Sequence, residues 1–259
     1  MPIARPARND LPAAWHEQAR RPAARGAFTL IELLVVIAII ALLVGILVPT
    51  VVSARNSARL AVCLSQQRSI ATAWMLYLED SKEFFPVWKM NLQRFYGGKE
   101  PCVYSLLNPK YALPWRPVNP YVDRAMKNES SAEIFRCPAD RGIPNLTGGY
   151  TAYDYYGNSY MMNDALLSKV DPVTGIVLVP YQSVCAREVK TPPSRVVLQG
   201  DTQWYYSVNA AAWDANFHNR DNRVNLVFLD GHAALTQIVP HMDITPDYCF
   251  PIWQPPDPP

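Results

Sequence analysis

Phe28-Thr-Leu-Ile-Glu-Leu-Leu-Val-Val-Ile-Ala-Ile-Ile-Ala-Leu-Leu-Val-Gly-Ile-Leu-Val48 is an apolar run of membrane-spanning length with one carboxylate in it, Glu32. About 20 apolar residues cross the hydrocarbon of a bilayer as a helix. A charge inside such a span is costly, so an intramembrane acid is by default a functional residue. Glu32 lies near one end of the run, where the cost is lower. The run would still be more hydrophobic without it, so the carboxylate has a use. The flank on the N-terminal side carries Arg5, Arg8, Arg20, Arg21 and Arg25 against two acids, Asp10 and Glu17. Such an excess of arginine holds a leader in the cytoplasm. An ordinary secretory signal has a shorter apolar stretch, of about 7–15 residues, with its small-residue cleavage site after it. Here the small pair Gly26-Ala27 stands before the run. A cut at that place removes residues 1–27 and leaves the apolar helix as a new N-terminus. The expected layout is single-pass, with the N-terminus cytoplasmic and the remainder outside the membrane.

Arg25-Gly26-Ala27-Phe28-Thr29-Leu30-Ile31-Glu32-Leu33-Leu34 resembles the processing motif of type IV prepilins and type II secretion pseudopilins. In that family a membrane peptidase cuts on the cytoplasmic side and methylates the new amino terminus, usually a Phe. The fifth mature residue is a glutamate that meets the amino group of a neighbouring subunit. The resemblance implies cleavage between Ala27 and Phe28, an N-methylated Phe28 and an assembly role for Glu32. The family's usual residue before the cut is Gly, so Ala27 departs from the pattern. A cut after Gly26 would put Glu32 in sixth place. The partners implied are the prepilin peptidase/methyltransferase, other pilin or pseudopilin subunits and an inner-membrane assembly platform. The location implied is the inner membrane, with the C-terminal domain periplasmic or extracellular.

Removing the leader leaves 232 of the 259 residues, enough for a long helix and one globular domain with a sizeable core. The net charge is +2 and no basic stripe follows the apolar run, so nucleic-acid binding has no electrostatic support. Twenty-four prolines against eleven glycines, mostly beyond residue 85, point to a domain rich in loops. Pro49 removes one backbone donor and is expected to kink or loosen the helix locally. From Val51 to about Asp80 there is no Pro or Gly, and Leu60, Leu64, Ala71, Trp74 and Leu78 recur at helical spacing with Cys63, Ile70 and Tyr77 beside them. That is the core-facing stripe of an amphipathic helix. One helix over 28–80 would be about 80 Å long. Its first part, 28–48, is expected in lipid, and 49–80 against a globular domain of residues 81–259. The fold class expected is α+β, a long N-terminal helix packed on a mainly antiparallel, pilin-like sheet domain.

Residues 81–150 read as irregular, because Phe85-Pro86, Asn108-Pro109, Leu113-Pro114, Arg116-Pro117 and Asn119-Pro120 disfavour helix at each step. A short helix is expected from Asp123 to Ile134, and strands over Val173–Val179 and Arg195–Leu198. Tyr150, Tyr153, Tyr155, Tyr156 and Tyr160 read as strand and loop with half-buried rings. Near the C-terminus Arg223–Leu229 and His232–Ile238 flank Asp230-Gly231, the signal of a hairpin with a type I′ turn. Val224, Leu226 and Phe228 then share one face, and Asn225, Val227 and Leu229 the other.

A second resemblance covers this region. A group of pilin-like proteins combines the prepilin N-terminus with a His followed by Asp-Gly near the C-terminus. Cys63-Leu-Ser-Gln-Gln-Arg68, Trp74-Met-Leu-Tyr77, Phe135-Arg-Cys-Pro-Ala-Asp140, Ser159-Tyr-Met-Met-Asn163 and His218-Asn219 before Asp230-Gly231 are similar to that group. Its spacing is nine residues between His and Asp, whereas eleven separate His218 from Asp230 here, the extra two in the polar stretch 219–222.

Five cysteines follow the apolar run: Cys63, Cys102, Cys137, Cys185 and Cys249. The topology puts them in an oxidising compartment, and the odd count leaves at least one thiol free or paired between chains. Connectivity is open from the sequence. Cys63 and Cys137 both lie in family-like stretches, and the first expectation is a bridge between them, tying helix to sheet domain.

No metal is expected at His218, Asp230, His232 and His241, since no His-x-x-x-His or Cys-x-x-Cys spacing is present. No nucleophile elbow, phosphate-binding loop or dinucleotide fingerprint is present either, and Asp140, Asp201 and Asp214 stand alone, so no enzyme is expected and no cofactor. Glu79-Asp80-Ser81-Lys82-Glu83 lacks the glycine and ligand alternation of a calcium loop and reads as a solvated helix end. The function expected is a pseudopilin-like filament subunit of a type II secretion or type IV pilus-like system. The alternative is a membrane-tethered module that binds carbohydrate or an envelope polymer.

Overall fold

The computed structural model describes residues 29–86, 96–100, 102–107, 116–123, 133–142, 148–167, 169–170, 177–179, 184–202, 204, 217–218, 222–240 and 242–250. The chain divides into two compact units, Met1–Pro49 and Thr50–Pro259. Helix α1, Leu30–Asp80, runs from the first unit into the second, and Pro49 does not end it. From Leu30 to Val48 α1 is apolar on every side and exposed. Among the described residues it is the one helix long and apolar enough to cross a membrane, and none of its most apolar stretch is buried.

Within the second unit α1 changes character. Cys63, Ile70, Ala71, Trp74 and Leu78 are buried on the stripe their spacing marks, while Leu60, Leu64 and Tyr77 are half-buried. Gln67 is buried among them, a polar residue on an apolar face. The helix stops after Asp80, where Lys82 and Glu83 take positive φ of 55° and 66°, so 79–83 is a helix end.

The rest of the unit is α+β. Short helices α2 (Val103–Leu107), α3 (Asn119–Val122) and α4 (Ala152–Tyr156) precede and accompany strands β1 (Tyr160–Met162), β2 (Lys169–Val170), β3 (Val177–Val179), β4 (Val197–Asp201), β5 (Arg223–Phe228) and β6 (Ala233–Gln237). β1, β4, β5 and β6 form an antiparallel sheet in that order, and β2 pairs with β3.

The helix expected from Asp123 to Ile134 falls for the most part outside the described residues; at its two ends Asp123 is an extended C-cap of α3 and Glu133–Phe135 form a 3₁₀ turn. Three other expectations need correction. Tyr153, Tyr155 and Tyr156 lie on α4 rather than on strand or loop, because Thr151 caps its N-terminus and Gly157, at φ 82°, ends it. Strand β4 starts at Val197, two residues late, and runs on to Asp201. The hairpin β5–β6 forms, but its turn is not type I′. Phe228 N–H donates to His232 O, Gly231 N–H to Phe228 O, and of Asp230-Gly231 only Gly231 has positive φ, 87°. This is a three-residue loop with a left-handed glycine closing it. Gly231→Ala should cost about 1 kcal/mol, because the site is spatially open and only the backbone conformation objects. Denaturant unfolding of the detergent-solubilised chain checks this.

The sheet is buried on both faces. Tyr160, Met162, Val196, Leu198, Val227, Leu229 and Ala233 share a core with Trp74 and its neighbours on α1. Met161, Val197, Val224, Leu226 and Phe228 share the other with Trp204, Ile238, Tyr248 and Phe250. The C-terminal stretch is held there by Val197 N–H to Cys249 O (3.0 Å) and by Asn163 Nδ2 donating to Phe250 O (2.8 Å).

One irregularity decides where the polar residues go. Val197 faces Phe228 and Gln199 faces Val227, so Leu198 is an extra residue in β4. A bulge of this kind re-aims every side chain beyond it, because side chains alternate with a period of two. It puts Gln199 and Asp201 on the face toward α1, and Gly200 on the other. A Cβ at Gly200 would stand 2.6 Å from Leu226 Cδ2 and 2.8 Å from Asn225 O, so only glycine fits.

Candidate functional site

Gly26, Ala27 and Phe28, where cleavage and methylation were expected, lie outside the described residues, as do the leader 1–27, His241 and Asp214. The described residues begin at Thr29. Thr29 N–H and Thr29 Oγ1 both donate to Glu32 Oε2, at 2.9 and 2.8 Å, and Glu32 N–H donates back to Thr29 Oγ1 at 3.2 Å. Thr29 is therefore an N-cap and Glu32 its third helical residue, a reciprocal capping box. Thr-x-x-Glu before an apolar run is readable from sequence, yet Glu32 was expected only to have a partner in another chain. The box satisfies two otherwise orphaned amides, those of Thr29 and Glu32, and places the carboxylate at the positive end of the helix dipole. Glu32 remains exposed, so its outer surface is open to a further cation.

The second polar concentration is internal. Asp201, at the end of β4, is fully buried. Its Oδ1 accepts from Gln67 Nε2 at 2.8 Å and its Oδ2 from Asn225 N–H at 2.9 Å. His218 Nε2 stands 3.4 Å from the same Oδ2, 3.2 Å from Asn225 Nδ2 and 3.7 Å from Cys137 Sγ. Cys137 is bonded to Cys63 of α1, with their Cα atoms 5.3 Å apart. Gln199 Nε2 reaches Gln67 O at 3.5 Å. Gln67 Oε1, Gln199 Oε1, Asn225 Oδ1 and His218 Nδ1 are buried and find no hydrogen-bond partner among the described residues. An unpaired buried polar atom costs free energy, so this cluster is a costly place in the core.

The acid beside His218 is thus Asp201, which stood alone in sequence. Asp230 instead contacts His232, with Oδ1 2.5 Å from Nδ1, on the exposed turn. Asp140 has a structural use. Its carboxylate accepts from Gly142, Ala152 and Tyr153 amides and from Ser159 Oγ, while burial pushes its pKa up against those bonds. It fastens the first turn of α4. Among the tyrosines, Tyr153, Tyr156 and Tyr160 are buried core rings, and Tyr150 is exposed. The other three cysteines, Cys102, Cys185 and Cys249, are buried and outside any disulfide.

Comparison with known proteins finds no matching curated protein and no matching solved structure. Residues 23–48 match the prokaryotic N-terminal methylation motif, which supports a type IV pilin-like protein anchored by its N-terminal helix.

Proposed function

We propose that the chain is a pseudopilin-like filament subunit of a type II secretion or type IV pilus-like machine. In this reading a prepilin peptidase cuts between Ala27 and Phe28 and methylates the Phe28 amine. The subunit then leaves the inner membrane for a filament whose shaft is made of packed α1 helices. The observation that carries the proposal is the wholly exposed apolar surface of α1 within the matched motif. A surface of that size needs lipid or other helices to cover it. The Glu32 carboxylate, prefolded by its capping box, takes the methylated ammonium of a neighbour's Phe28, and pairing offsets the cost of burying either charge. The His218 and Asp230-Gly231 pattern extends the likeness to pilin-like proteins with the C-terminal His and Asp-Gly, and β5–β6 is the hairpin it would mark.

Mass spectrometry of the membrane-extracted chain is the test. The expected N-terminal peptide starts at Phe28 and carries one methyl group. An intact Met1 terminus, or a cut beyond Val48, overturns the reading.

A further inference from the structure

The buried cluster at His218 is built from metal-ligand chemistry. Cys63 Sγ, Cys137 Sγ and one His218 nitrogen all lie within 4.8 Å of one another, and all three residues are buried. One edge of a coordination tetrahedron is already present, 3.7 Å from His218 Nε2 to Cys137 Sγ; Asp201 Oδ2 stands 3.4 Å from the same nitrogen, beside this group of three. A tetrahedral zinc with bonds of about 2.3 Å to sulfur and about 2.0–2.1 Å to nitrogen has a sulfur–nitrogen edge of about 3.5 Å. The sulfur–sulfur edge is the one the bridge shortens. Two zinc-bound thiolates stand about 3.8 Å apart. Side-chain rotation of two cysteines whose Cα atoms are 5.3 Å apart supplies that opening without moving the backbone. Gln67 Oε1 and Asn225 Oδ1, buried and without partners among the described residues, mark a cluster with acceptor capacity left over.

We propose that, before the Cys63–Cys137 bridge closes, these two sulfurs and His218 Nε2 bind one divalent cation of the zinc class, with a water in the fourth position. Metal binding and bridge formation then exclude each other. A newly made chain carries both cysteines as thiols, so the site needs no reductant to exist. Binding releases the two thiol protons to solvent and sets two thiolates against the dication, while the Asp201 carboxylate beside His218 stays held by Gln67 Nε2 and the Asn225 amide. When the bridge closes, the two sulfurs pass two electrons to a disulfide-bearing oxidant, which becomes a dithiol, and the cation leaves. The cation would occupy the cluster in the newly folded unit and hold α1 to the sheet until the covalent bond replaces it.

The test uses the full chain in detergent, opened with a phosphine reductant, freed of metal and titrated anaerobically with Co²⁺. One equivalent should bind, with a thiolate-to-cobalt charge-transfer band and the visible bands of tetrahedral cobalt. The chain with its bridge closed should show neither. His218→Gln should weaken binding about tenfold or more, and the Cys63→Ser, Cys137→Ser double variant should abolish the band. A second measurement needs no variant: Zn²⁺ added to the opened wild-type chain should slow re-formation of the bridge about tenfold, and a chelator should restore it. A band that survives in the double variant assigns the cobalt to Cys102, Cys185 or Cys249 and overturns the site. So does an opened wild-type chain without the band, equal binding with the bridge closed, or bridge formation indifferent to zinc.

Discussion

Glu32→Gln should leave the chain cut at Phe28 and retained in the membrane, while recovery of sheared filaments falls about tenfold or more. Gln is the informative replacement because of the capping box. A Gln at the third helical position still reaches back to the Thr29 amide, so the start of α1 is preserved and only the charge is lost. Glu32→Ala removes charge and cap together. If pairing with a neighbour's ammonium is what Glu32 does, both variants fail alike in assembly. If the box alone matters, Gln assembles at wild-type level and Ala does not, and the intersubunit role is wrong. Cleavage is the internal control, since it depends on the residues before and at Phe28. Quantifying cut and uncut chain beside the filament yield separates a processing defect from an assembly defect.

Trp74→Ala should destabilise the Thr50–Pro259 unit by about 3–5 kcal/mol. Trp74 is fully buried, and its ring centroid lies 5.4 Å from Tyr96, 5.6 Å from Tyr77 and 5.9 Å from Phe85. No single neighbour can collapse into the space of an indole held on three sides. Leu76→Ala, two residues along the same helix but 45% exposed, should change stability by less than about 1 kcal/mol. Denaturant midpoints of both variants against wild type, with the bridge intact, decide it. Equal midpoints for Trp74→Ala and Leu76→Ala would mean that the amphipathic half of α1 contributes little to the core. The docking interpretation would then fail.

The parts of this fold that were legible in the sequence are those set by short-range pattern. The apolar run at 28–48 and the stripe from Leu60 to Leu78 are periodic, and period alone distinguishes a helix apolar all round from one with a single buried face. The β5–β6 hairpin follows from Asp230-Gly231 between two strand-like runs. Its turn type does not, because the loop takes in Leu229 as well and leaves Asp230 on the ordinary side of φ. Strand β4 was misplaced by two residues because Gln199, Gly200 and Asp201 look nothing like a buried strand. Their fitness for it depends on the bulge at Leu198, which is visible only against β5. The His218 cluster was illegible for a related reason. Gln67 and Asp201 are 134 residues apart, and nothing local to either predicts that a bulged strand will bring them to 2.8 Å. Thr29-x-x-Glu32 was legible as a pattern, yet its role within the chain was overlooked because the same glutamate already had an explanation between chains.

The bond between Cys63 and Cys137 also has a mechanical meaning. In the proposed filament a subunit is loaded through its helix, and a fold unravels under load by releasing slack. The bond spans 74 positions of the chain, which fully stretched would extend about 250 Å. With the loop closed covalently, a pull entering along α1 bypasses that whole length at Cys63. The segment that holds Phe85, Tyr96 and Phe135 carries no tension, and the shaft can be stretched without lengthening through it.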